Sequence, residues 1–168
     1  MSQIKEAMQN ASAYLGEHPE EARYTDSLAT ATLESGLRCA VTGPNGERVE
    51  TDMPASVGGE SSGPSAGWLL RAAIASCNAT VIAMRAAQQG ISLTRLEVDV
   101  DSESDDRGIL GLDPGIPAGP FSIRVQVRIA GEGDDARLRE IAEWGVEHCP
   151  VCDAAKRAIP VSLEIETG

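Results

Sequence analysis

The sequence predicts an α+β fold, an antiparallel sheet with helices on one face. Two patterns and their order carry this reading. FSIRVQVRIAG alternates with period two, setting Ile123, Val125, Val127 and Ile129 on one side of a strand. GWLLRAAIASCNATVIAMRAAQQG is apolar nearly all round, with small residues on several faces, as a helix buried on every side would be. Along the chain the elements read ββ-α-ββ-α-α-β, which is the order of an antiparallel sheet with segregated helices.

Residues 1–24 read as an N-terminal helical extension, because Ile4, Met8, Ala11 and Leu15 recur at helical spacing. The main domain is expected over 25–168. From Thr25 the text becomes β-like, and Gly43-Pro44-Asn45-Gly46 is a strong turn signal. With ERVETD following, Leu33 to Asp52 is predicted as a β-hairpin. PASVGGESSG is a surface or site-lining loop. Pro64-Ser65-Ala66 opens the apolar helix, which stops at Gly90. LTRLEVDVDS is a strand, and an acidic loop rich in Gly and Pro separates it from FSIRVQVRIAG. Asp134 or Asp135 caps a helix over Ala136–Glu147. Pro150 begins a short helix, and VSLEIE is predicted to close the chain as a strand.

Composition narrows the function. A chain of 168 residues is most simply one core-forming domain, and with 3% aromatic residues the core must be built from Ala, Val, Ile and Leu. Trp68 and Trp144 are expected to anchor it. The net charge of −12 repels phosphate backbones and anionic lipid, so neither a nucleic-acid nor a membrane partner is expected. Arg71, Asn78 and Arg85 interrupt the one apolar stretch long enough to span a bilayer. MSQIKEAMQNASAYLGEHPE has no basic and apolar leader pattern, and the chain is read as cytoplasmic, with reduced thiols.

Four cysteines carry the chemistry. Cys77 lies in the apolar helix, where it reads as a sheltered thiol; Cys149 begins CPVC after a charged helix and reads as the more accessible one. Such a pair can support a two-cysteine redox cycle if the fold brings the thiols together. In the bland alternative Cys77 is a small core residue. A cation must offset burial for Cys77 to ionise, and Arg71 and Arg85 are candidates that read more simply as packing or helix-solvating residues. Cys149 and Cys152 form a CxxC at a helix start, a recognised redox arrangement, although a thioredoxin fold would need a βαβ context. His148, Cys149 and Cys152 offer three zinc ligands, and a fourth could come from Cys39 or Cys77 only through folding that the sequence does not show; no metal or other cofactor is expected. Cys39 reads as core filler. DSESDDRG lacks calcium-loop spacing and reads as a solvated loop.

DMPASVGG, AIASC within the apolar helix, LTRLEVDV and CPVCDA, in this order and spacing, resemble the OsmC/Ohr family of thiol peroxidases. The resemblance covers roughly Leu33 to the C-terminus and suggests a divergent member. It implies an intertwined homodimer, with antiparallel sheets wrapped around long central helices and the active sites at the interface. It further implies reduction of organic hydroperoxides through a sulfenic acid and then a disulfide, with an external dithiol as reductant. Carried over, Cys77 matches the peroxidatic thiol, Cys149 the resolving thiol and Arg38 the arginine that favours the thiolate. Cys152 is an additional redox candidate. The family's glutamate, ten residues before the reactive cysteine, is replaced here by Gly67, and Glu60 is a candidate substitute carboxylate. The departure at Gly67 keeps an alternative open: a catalytically weakened protein of the same fold that binds a small apolar ligand at the dimer interface.

Overall fold

Gly36 adopts a φ of 56°, a conformation that L side chains rarely take, and turns the chain back on itself between two strands. In the computed structural model, which describes residues 2–168, these strands are β1 (Thr30–Ser35) and β2 (Arg38–Thr42). The second turn, at residues 43–46, leads to β3 (Arg48–Thr51). The predicted single hairpin over Leu33–Asp52 is therefore a three-stranded antiparallel meander, β1-β2-β3. Pairing sets Leu33 opposite Cys39, and Cys39 opposite Thr51. Cys39 is half-buried rather than core; the buried residue of β2 is its neighbour Ala40.

The N-terminal segment is helical as expected, α1 (Ser2–Glu17) followed by a single 3₁₀ turn at Pro19–Ala22. Between β3 and the next helix, the loop is organised by one carboxylate. Asp52 is buried, and it accepts hydrogen bonds from the backbone N–H groups of Met53 (2.7 Å), Glu60 (3.1 Å) and Ser62 (3.0 Å) and from the Ser62 hydroxyl (2.8 Å). These donors hold its pKa down at about 2, the Ser62 N–H contributing most.

Helix α2 (Ala66–Gln88) starts where Ser65 Oγ accepts from the Trp68 N–H at 3.1 Å, and ends before Gly90, whose φ is 71°. Its burial is narrower than its composition suggests. Only the stripe Ile74, Asn78, Ile82, Ala86 and Ala87 is fully buried. Trp68 is 52% exposed, so it does not anchor the core of this chain.

Glu6–Ala72 and Ala73–Gly168 form two compact units. The second unit holds a two-stranded antiparallel ribbon of β4 (Leu93–Glu103) and β5 (Ser122–Gly131). A four-residue helix, α3 (Asp106–Ile109), lies in the connecting loop. Helix α4 (Asp135–Glu147) is capped by Asp134, whose side chain accepts from the Arg137 N–H at 2.8 Å. Ile82 and Ala86 of α2 pack with Ile141 and Ala142 of α4, against Leu96, Val98, Val127 and Ile129 of the ribbon. Helices thus line one face of the antiparallel ribbon, as the alternation in β5 predicts. Where α2 meets α4 the approach is very close. A Cβ on Gly145 would lie 2.4 Å from Ile82 Cγ1 and 2.9 Å from Ile82 Cα.

The predicted closing strand is absent: residues 161–166 have no regular structure, and Val161, Leu163 and Ile165 are 92%, 80% and 74% exposed. A strand needs a ladder partner, and none pairs with this segment among the described residues.

Candidate functional site: a cluster of three thiols

Helix α4 ends at His148, and α5 (Pro150–Lys156) begins immediately after Cys149. Pro150 fits the first position of a helix because its missing N–H would be unpaired there anyway. Cys149 is the residue just before α5, and its Sγ accepts from the Cys152 N–H at 3.4 Å. This corner places Cys149 and Cys152 beside α2, in one apolar cluster with Ile74 and Cys77, closed by Val100, Ile123, Val125 and Val151.

Three of the four cysteines therefore meet, and all are free thiols. Their accessibilities reverse the sequence expectation. Cys149 is 0% exposed and Cys152 6%, whereas Cys77 is half-buried. The reversal has a packing cause: as an N-cap, Cys149 points its side chain into its own helix turn, where the Val and Ile of the ribbon cover it.

Burial pushes the Cys77 thiol above the ordinary range. The Val151 N–H donates to its sulfur and opposes that rise, while the neighbouring Cys149 and Cys152 thiols add to it. Cys152 is also raised, again chiefly by burial. Against that work the Asn78 amide and the Lys156 ammonium, both of which favour its thiolate.

Asn78 was visible in the sequence only as a polar interruption of an apolar helix. It is fully buried, and its Nδ2 donates to the Ile74 carbonyl at 2.7 Å and to Cys152 Sγ at 3.1 Å. Because a carbonyl oxygen must face a donor, the Ile74 contact fixes which way the amide points. The Oδ1 atom has no hydrogen-bond partner among the described residues. An unpaired buried carbonyl costs about 1–3 kcal/mol, so stability does not explain an asparagine here.

Arg38, Glu60 and Gly67 belong to the other unit. Arg38 on β2 forms an ion pair with Glu34, its Nε lying 3.3 Å from Glu34 Oε2. Glu34 also pairs with Arg48 at 3.3 Å. Glu34, rather than Glu60, is thus the carboxylate paired with Arg38, whose Nε has no hydrogen-bond partner among the described residues. The Glu60 side chain is exposed, and its backbone N–H serves Asp52. At Gly67 a Cβ would sit 3.8 Å from Ser65 Oγ and 3.9 Å from Arg71 Nη1, so a side chain fits there. Arg85 stacks over the Trp144 ring at 4.4 Å, with His148 against the other contact of that ring at 3.9 Å. Trp144 thus contacts both a guanidinium and an imidazole, and is half-buried rather than central to the core.

The zinc alternative finds no converging ligand set at HCPVC. His148 Nδ1 lies 2.8 Å from the Trp144 carbonyl. Among the described residues, the grouping with ligand atoms within 4.8 Å of one another is His18, Glu20 and Glu21, on the surface.

The family model described as OsmC-like protein matches residues 58–164. An OsmC-like protein from Mycoplasma pneumoniae has a similar structure, with a TM-score of 0.68 at 14% identity over 81% of this chain and 91% of that one. An organic hydroperoxide resistance protein OsmC from Legionella pneumophila gives 0.59 at 20% identity, over 80% and 91% of the two chains. The organic hydroperoxide resistance protein OhrB of Bacillus subtilis gives 0.52 at 21% identity, over 84% and 98%. No curated protein matches. At these identities the structural likeness carries the fold alone.

Proposed function

Because the chain belongs to the OsmC-like protein family, as a divergent member, we propose that it reduces organic hydroperoxides with its clustered thiols. The observation that carries the proposal is the meeting of Cys77, Cys149 and Cys152 in one cluster. In the reaction, the Cys77 thiolate attacks the terminal peroxide oxygen and breaks the O–O bond. The alkoxide leaves as an alcohol after protonation, and Cys77 becomes a sulfenic acid. The Cys149 thiol then forms a disulfide with Cys77 and releases water, and an external dithiol restores both thiols. Arg38 has the role of thiolate stabiliser, with Glu34 as its ion-pair partner.

The domain of this function spans 25–168, preceded by the helical extension 1–24, and acts as a cytoplasmic homodimer. Support for a second copy lies in apolar groups with no cover in one chain: Leu33, Trp68, Val161, Leu163 and Ile165. Light scattering should give twice the chain mass of 17.6 kDa. To test the chemistry, reduced protein is treated with one equivalent of cumene hydroperoxide, alkylated and digested. Oxidation of Cys77 is expected; Cys77 recovered wholly as the alkylated thiol overturns the reading.

Gly67 favours a second reading, a weakened enzyme that holds a small apolar ligand. Beside it lies a cavity of about 400 Å³ lined in part by Trp68, Pro54, Pro64 and Arg71.

A further inference from the structure

The Cys77–Cys149 pair would suffice for the cycle above, yet the cluster contains a third thiol. Cys152 has three features that the other two lack. The buried Asn78 amide donates to its sulfur at 3.1 Å, in an orientation fixed by the Ile74 carbonyl. The Lys156 ammonium acts on it from one helical turn away. Of the three thiols, it is also the one that lines a cavity of about 290 Å³, formed with Pro120, Phe121, Val146 and Lys156. Its backbone N–H meanwhile donates to Cys149 Sγ at 3.4 Å, so the two residues of CPVC already face each other.

We propose that Cys152 is the thiol through which reductant electrons enter, by way of a Cys149–Cys152 disulfide, and that Asn78 is its positioning residue. The proposal rests on the reading of Cys77 as the thiol that meets peroxide. After Cys77 and Cys149 have joined, the Cys152 thiolate attacks Cys149 Sγ. The Cys77–Cys149 bond breaks, Cys77 leaves as a thiolate ready for the next peroxide, and Cys149–Cys152 forms; no oxidant or reductant is consumed in this exchange. An external dithiol then reaches Cys152 through the cavity. One of its thiolates bonds to Cys152 Sγ and releases Cys149, which takes up a proton. Its second thiol closes a disulfide within the reductant and releases Cys152. Two electrons and two protons pass to the protein in all. Peroxide and reductant thereby use different sulfurs, and the exchange frees Cys77 before any reductant arrives.

Full-length reduced protein receives one equivalent of cumene hydroperoxide, is quenched in acid after a few seconds and again after minutes, and is alkylated and mapped. The early sample should contain Cys77–Cys149, and the late one Cys149–Cys152 with Cys77 alkylated. Cys152→Ser should stop at Cys77–Cys149, and with dithiothreitol as reductant its steady-state rate relative to its first turnover should fall at least tenfold; Cys152→Ala serves if the serine variant does not fold. A late sample that still holds Cys77–Cys149 with Cys152 alkylated overturns the relay and leaves the peroxidase reading standing. Cys77 unreacted in every sample would instead remove the peroxidase reading. The relay is then decided by Cys77→Ser equilibrated with oxidised and reduced dithiothreitol, where Cys149–Cys152 must form. Its failure to form there overturns the relay whatever peroxide does. For Asn78, the pH profile of Cys152 alkylation in Asn78→Ala should move to higher pH, with Asn78→Gln restoring part of the shift. An unmoved profile removes Asn78 from the proposal.

Discussion

Replacing Gly145 with alanine tests what sets the distance between α2, which bears Cys77, and α4, which leads into the corner of Cys149 and Cys152. The new Cβ would lie 2.4 Å from Ile82 Cγ1, 2.9 Å from Ile82 Cα and 3.0 Å from Ile82 N. Ile82 can rotate its side chain away from the first contact but not its backbone from the others. Carbon atoms attract best at about 3.5–4.0 Å, so the helices must part by roughly 0.5–1 Å. Overpacking of this kind costs about 1–3 kcal/mol, offset by up to ~1 kcal/mol from the better helix propensity of alanine. A net loss of about 1–2 kcal/mol corresponds to a fall of ~2–8 °C in Tm for a chain of this size. The same parting moves the thiols, because Gly145 is four residues before Cys149 and Ile82 five after Cys77. A displacement of ~1 Å can cost up to ~100-fold in a step that needs near-contact geometry. Gly145→Ala should therefore slow formation of the Cys77–Cys149 disulfide at least tenfold, measured by quenched alkylation, as well as lowering Tm by circular dichroism. Adding Ile82→Ala should relieve only the part due to Cγ1, leaving the pair slightly less than additive. Unchanged Tm and unchanged disulfide rate in Gly145→Ala would refute the argument.

Restoring a carboxylate with Gly67→Glu should change hydroperoxide turnover by less than about threefold, since Arg38 already has an ion-pair partner in Glu34; a gain of tenfold or more, ~1.4 kcal/mol of barrier, favours the ligand-binding reading. Asp52→Asn should lower the urea midpoint at neutral pH and make no difference in strong acid. A depressed carboxylate pKa contributes stability above the unfolded value of about 3.9, and that contribution is lost as pH falls through the folded value of about 2. Asp134→Ala should remove the α4 cap and cost ~1 kcal/mol in chemical denaturation. Because burial raises Cys77 and Cys152, their contribution to stability is present below the ordinary thiol range and lost as pH rises through the raised values. Cys152→Ala should therefore flatten the alkaline decline of the denaturation midpoint.

Local rules made most of the second unit legible. The period-two text of β5, the Asp134 cap and the glycine stop at Gly90 each act within a few residues, and the structure has all three. The hairpin over Leu33–Asp52 was incomplete because Ser35-Gly36-Leu37 carries a weaker turn signal than GPNG, though the positive φ of Gly36 is decisive. The thiols' accessibility was misjudged for a different reason: it depends on which way an N-cap side chain turns, and CPVC as text does not specify that. Glu34 was overlooked because its pairing with Arg38 is made across the turn that was overlooked.

Two other departures share one cause. VSLEIE alternates as a strand does, yet pairs with no strand among the described residues; the α2 text is apolar nearly all round, yet only one stripe is buried. Each pattern describes a surface that expects cover, and a single chain covers part of it. A second copy would supply both a sheet edge and a facing helix, which is why these misreadings support the proposed dimer. The Asn78–Cys152 contact is a harder case, because its partners stand 74 positions apart and neither is unusual alone. A polar residue in an apolar helix and a second cysteine within CPVC each look incidental. Joined at 3.1 Å inside an apolar cluster, they explain each other: the amide N–H needs an acceptor, and its donation favours the Cys152 thiolate against the burial that raises this thiol.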